Sequence, residues 1–168
     1  MVYDFNVDEI FEIAEQIERN GTRFYRQNAE NVSSSPIQQL FLDLAAMEEE
    51  HEKLFISMRA DLSDREKEPT VFDPEGESVL YLRALADLRV FDEKAGDSFV
   101  IPEGISKEEK ARKILRAAIG LEKEAIVFYL GMKEFVPEKL GKDKIENIIK
   151  EEMKHIRFLN DSLHSLKK

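Results

Sequence analysis

Cysteine is absent from the 168-residue chain. Without thiolates there is no disulfide, no cysteine nucleophile, no zinc ribbon and no iron–sulfur cluster, so any metal has to bind through oxygen and nitrogen. Positive charge is also short: 25 Lys and Arg stand against 35 Asp and Glu, a formal net charge of −10. That balance disfavours nucleic acid and anionic membrane surfaces as partners, since both need a basic face. With charged residues at 36% and spread evenly, no stretch is apolar enough to span a bilayer. The first twenty residues carry Asp4, Asp8, Glu9, Glu12, Glu15 and Glu18, a pattern no signal peptide tolerates, and a cytoplasmic location is expected.

What is present is a foldable core. Hydrophobic residues make up 42% of the chain, enough for one globular domain spanning 1–168 and too many for disorder. Four stretches repeat apolar residues at helical spacing. The first is expected from Asn6 to about Ala29, with Asn6 and Glu9 as a capping pair and Phe5 and Ile10 as a hydrophobic staple. The second follows Ser33–Ser35 and Pro36 and reaches about Ala60, with Ser35 and Gln38 as its capping box. Ser106 and Glu109 repeat the device for the third, which Pro137 limits, and the fourth covers roughly Lys142 to Leu166. Between the second and third, residues 61–105 hold Pro69, Pro74, Gly76, Gly96, Pro102 and Gly104, with one apolar segment, Val79 to Phe91, that reads as a short helix. Two hairpins, 6–60 and 106–166, joined by one long connection predict an all-α four-helix bundle of crossover topology.

The hairpins repeat each other. Glu18 and Glu122 are 104 positions apart, and the same shift lays Phe24-Tyr25 on Phe128-Tyr129, Glu48 on Glu152 and His51 on His155. Each half thus carries one Glu on its first helix and a Glu-x-x-His on its second. Phe11, Ala14, Glu18 and Tyr25 share one apolar seam; Phe41, Leu44, Glu48, His51 and Phe55 share another. Leu115, Ala118, Glu122, Ala125 and Tyr129 form the third, and Ile145, Ile148, Glu152, His155 and Leu159 the fourth. Four carboxylates and two imidazoles therefore aim at one core. Burying them uncompensated costs on the order of several kcal/mol per charge, and two divalent cations would balance the four negative charges. Carboxylates with one imidazole per metal suit iron or manganese, and zinc also fits. A single Glu-x-x-His would mean little in a chain so rich in Glu; two matched copies with two matched lone Glu residues are different. Glu49, Glu50, Glu124, Glu151 and His164 are read as ordinary solvent-facing residues.

These residues resemble the ferritin-like di-iron carboxylate proteins, and among them the rubrerythrin branch, most closely at Ile17-Glu18 to Phe24-Tyr25 and at Glu122 to Phe128-Tyr129. The resemblance implies that Glu48 and Glu152 bridge two iron ions, that Glu18 and Glu122 are terminal ligands, and that His51 and His155 take one iron each. It further implies that Tyr25 and Tyr129 hydrogen-bond the ligand carboxylates of the opposite half. The chain departs from the branch in two ways. Ala125 stands where rubrerythrins carry a further Glu, so the site is expected to be more symmetric, and the four cysteines of a rubredoxin module are missing. Implied is a redox enzyme of oxidative-stress defence, reducing hydrogen peroxide or dioxygen with electrons from a separate protein such as a rubredoxin, and working as a homodimer. The same ligands would serve a ferroxidase or iron-storage protein acting on iron(II), or a manganese catalase-like enzyme. A metal-free helical interaction module is the reading from a different class, and a neutral core would serve it better than buried acids.

Overall fold

In a computed structural model, which describes residues 7–64, 104–136 and 138–166, the chain forms four long helices. They are α1 (Val7–Asn31), α2 (Ser35–Ala60), α3 (Lys107–Phe135) and α4 (Lys142–Ser165), with a short 3-10 turn at Glu138–Leu140 before α4. Among the described residues there is no strand. Asn6, Phe5 and the apolar segment 79–91 lie outside the described residues, as does most of the connection 61–105.

Local chemistry places the helix ends. Ser106 Oγ accepts from the Glu109 backbone N–H at 3.1 Å, the expected cap of α3. At the other end Val136 turns extended, as a residue preceding proline prefers, and α3 stops at Phe135. The start of α2 differs from expectation. Its cap is Ser34, and the Ser35–Gln38 box does not form. The Gln38 backbone N–H reaches the Ser34 carbonyl at 2.8 Å, which begins the helix one residue earlier. The Gln38 side chain meanwhile donates to the Ala29 carbonyl at 3.1 Å, satisfying one of the open carbonyls at the end of α1. Gly141 caps α4 with φ 99° and ψ 33°, a left-handed conformation that favours glycine, and a Cβ there would stand 2.9 Å from Met58 Cε.

Each hairpin is antiparallel. Arg59, near the end of α2, holds both oxygens of Asp8 in the first turn of α1, at 2.8 and 3.0 Å. At the opposite end of α1, Asn31 accepts from Lys110 in the first turn of α3 at 3.2 Å. A helix of 25 residues is about 37 Å long, so the end of α2 and the start of α3 lie at opposite ends of the bundle, as the crossover topology requires. All residues of the four seams are buried. Phe11, Phe41, Phe55, Phe128 and Ile114 are among the fully buried side chains that pack above and below a polar middle layer. No helix among the described residues is long and apolar enough to cross a membrane.

Candidate metal centre

That middle layer contains Glu18, Glu48, His51, Glu122, Glu152 and His155, each at most 3% exposed. One residue comes from each of α1 and α3, and a Glu-x-x-His pair from each of α2 and α4. The i, i+3 spacing sets each pair on one helical face. Two overlapping groups result: Glu18, Glu48, His51 and Glu152, and Glu48, Glu122, Glu152 and His155, whose ligand atoms lie within 4.8 Å of one another in each group. Glu48 and Glu152 belong to both.

The oxygens of these two shared carboxylates divide between the imidazoles. Glu48 Oε2 is 3.5 Å from His51 Nδ1 and its Oε1 is 3.3 Å from His155 Nδ1. Glu152 Oε1 is 3.1 Å from His51 Nδ1 and its Oε2 is 2.7 Å from His155 Nδ1. Glu18 and Glu122 each approach a single ring nitrogen, both at 3.5 Å. The rings stack, with centroids 5.8 Å apart and planes inclined by 16°. Two carboxylates that each present one oxygen to either side, and two that serve one side only, could hold two cations as a bridging and a terminal set.

The outer contacts fix these carboxylates. The Tyr25 hydroxyl of α1 donates to Glu122 Oε1 on α3, and the Tyr129 hydroxyl of α3 donates to Glu18 Oε1 on α1. Both tyrosines are fully buried. Burial, together with Glu122 and Glu48 beside Tyr25 and with Glu18 and Glu152 beside Tyr129, pushes both phenols well above their ordinary value, so they stay protonated and donate.

Electrostatics shows the cost of the cluster. Burial, and then the neighbouring carboxylates with Glu152 foremost, raise Glu48 well above the usual carboxylate range and Glu122 to about 8. Burial pushes Glu152 the same way, yet His155 and His51 overcome it and hold this carboxyl below its ordinary value. Burial opposes charge on the imidazoles, but the surrounding carboxylates raise His51, and raise His155 to about 12. Protonated imidazoles thus stand in for a missing positive charge. Glu48 Oε1, Glu122 Oε2, both oxygens of Glu152 and both Nδ1 atoms are nevertheless buried without a hydrogen bond to any described residue. Acceptors and ring nitrogens left open around one point are the donor set of divalent cations that prefer oxygen and imidazole.

One participant differs from its reading in the sequence. Glu151, taken as solvent-facing, places Oε2 2.7 Å from His51 Nε2 while its side chain remains 42% exposed. It sits one position before Glu152, but the 104-residue shift pairs it with Met47, so the repeat that reveals the other residues conceals this one. Glu49 pairs with Arg26, Glu50 with Lys53, and Glu124 and His164 are exposed, as expected.

The chain is similar over 98% of its length to 98% of a solved Thermotoga maritima chain described as a candidate ferritin-like diiron-carboxylate protein, with a TM-score of 0.68 and 21% identity. At that identity the likeness supports the ferritin-like fold. No curated protein matches the chain. The rubrerythrin family model matches residues 9–95, which hold α1, α2 and with them Glu18, Tyr25, Glu48 and His51. Spanning just over half of the sequence, that match shows that the chain belongs to the rubrerythrin family.

Proposed function

We propose that the six buried residues hold two iron ions and that the protein is a redox enzyme reducing hydrogen peroxide or dioxygen with electrons from a separate donor protein. The observation that supports this most is the division of Glu48 and Glu152 between the two imidazoles, which suits a dinuclear centre. Iron bound there supplies the electrons, two for each peroxide that takes up two protons and leaves as two waters.

The chain's own residues do the rest. Glu48 and Glu152 hold the two positions together, and Glu18 with His51 and Glu122 with His155 complete them. Tyr25 and Tyr129 keep the terminal carboxylates from swinging and, being protonated, lend each a hydrogen bond without adding charge. The aromatic and aliphatic layers around Phe11, Phe41, Phe55 and Phe128 keep bulk water from the centre and limit side reactions. An electron donor is required from outside, because no cysteine in the chain can hold an iron–sulfur or rubredoxin-type site.

The test is anaerobic, iron(II)-loaded protein mixed with hydrogen peroxide or with dioxygen in a stopped-flow instrument. The expected result is oxidation of the bound iron by at least one of them, faster than that of free iron(II) and lost in Glu48→Ala. Oxidation no faster than free iron(II) with either would overturn the proposal.

A further inference from the structure

The two imidazoles are held differently. His51 turns Nδ1 to the cluster and its Nε2 to Glu151 Oε2 at 2.7 Å. His155 also turns Nδ1 to the cluster, but its Nε2 is buried and no described residue pairs with it. The internal repeat says where its partner would come from. Shifted by 104 positions, Glu151 on α4 corresponds to Met47 on α2, a side chain that carries no acceptor of comparable strength.

From this asymmetry we infer that the two metal positions are unequal, and that Glu151 makes the His51 side the one that fills first. The inference rests on the dinuclear reading above. A carboxylate accepting from Nε2–H fixes the tautomer that leaves Nδ1 free to bind, locks the ring's orientation and makes Nδ1 a stronger donor. For His155 to bind through Nδ1, its Nε2 must keep a buried proton for which no described residue is a partner, a penalty the His51 side does not have. Glu18 and Glu122 each receive a tyrosine hydrogen bond, and Glu48 and Glu152 are common to both sides. Among the described residues, the partner of Nε2 is therefore the contact that separates the two sides. Glu151 is a positioning residue: it touches a ligand ring, not the cations.

The experiment is a calorimetric titration of the metal-free full chain with cobalt(II) alone, in wild type, Glu151→Ala, Glu151→Gln and Met47→Glu. Each variant is checked for helicity by circular dichroism. Wild type is expected to bind two equivalents in two resolved steps. Glu151→Ala weakens the tighter step about 10- to 100-fold and closes the gap, while Glu151→Gln, which keeps an acceptor without the charge, falls between. Met47→Glu tightens the weaker step by offering His155 the carboxylate that Glu151 gives His51. A wild-type chain that takes up no cobalt(II) overturns the metal-centre reading and this inference together. Two equivalents of equal affinity, or two steps unmoved by Glu151→Ala in a helical variant, overturn this inference alone.

Discussion

The two hairpins match in what faces the middle of the bundle and differ in almost everything around it. In each, a Glu on the first helix is followed seven residues later by a buried tyrosine, and the second helix carries Glu-x-x-His. Even the aromatic packing is shared: Phe24 meets Tyr25 edge-on at 5.4 Å, and Phe128 meets Tyr129 edge-on at 5.7 Å. Outside that layer the halves diverge. The α1–α2 hairpin is clamped at its open end by Arg59, which holds Asp8 and reaches Glu12 and Glu15. The repeat places Leu163 opposite Arg59 and Ile119 opposite Glu15, so the α3–α4 hairpin carries apolar side chains at those positions, and its open end is tied instead by Arg112, which donates to the Leu166 carbonyl. Its own special feature is the left-handed Gly141. A hairpin's end can be tied by ion pairs or by a single arginine–carbonyl hydrogen bond, but four carboxylates around one point leave few substitutes.

The comparison is most open to breaking at the shared carboxylates. Glu48→Ala or Glu152→Ala removes an oxygen from both positions and is expected to abolish binding of both metals, whereas Glu18→Ala or Glu122→Ala should spare one. Metal per chain by elemental analysis separates the outcomes, and loss of a single metal in Glu48→Ala would contradict the bridging role. Next come the tyrosines. Tyr25→Phe and Tyr129→Phe each free a terminal carboxylate and should weaken metal binding by about 10- to 100-fold, each chiefly at the position its partner Glu122 or Glu18 serves.

A pH series sharpens the electrostatic side. Glu122, raised from 4.5 to about 8, stabilises the metal-free fold fully below pH 4.5 and loses that contribution as pH rises through about 8. Metal must displace the same proton and also those on the two imidazoles, so cobalt(II) affinity should climb with proton release between pH 6 and 8 and keep climbing above it. Thermal melts of the metal-free protein should fall over that interval, while those of the loaded protein should not.

Smaller effects are expected at the hairpin ends. Gly141→Ala forces a side chain into a left-handed conformation and against Met58, costing roughly 1–2 kcal/mol in denaturant melts. Arg59→Leu should cost less, about 0–1 kcal/mol, because its ion pairs are partly exposed and screened by salt.

The helices and the central layer were legible from the sequence because both depend on periodicity. Glu18, Glu48, Glu122 and Glu152 fall in seams whose neighbours are Phe, Leu, Ile and Ala, so a regular helix delivers them inward whatever the loops do. Capping at Ser106 was legible for the same reason: it is decided within four residues. The start of α2 was not, because Gln38 has two uses there and its side chain serves the end of the preceding helix. Glu151 was hidden for a further reason. It lies on the edge of the apolar seam, half-exposed, and its role comes from His51, 100 positions away on another helix. Periodicity reports which face a residue occupies; it does not report which neighbour waits across an interhelical gap.

Iron content tests the central claim most directly. The full chain is loaded anaerobically with iron(II), desalted and assayed for metal per polypeptide beside Glu48→Ala. The account predicts about two irons per chain in wild type, balancing the four buried carboxylates, and none in the variant. A folded wild type that retains no iron, or retains as much as Glu48→Ala does, would contradict it.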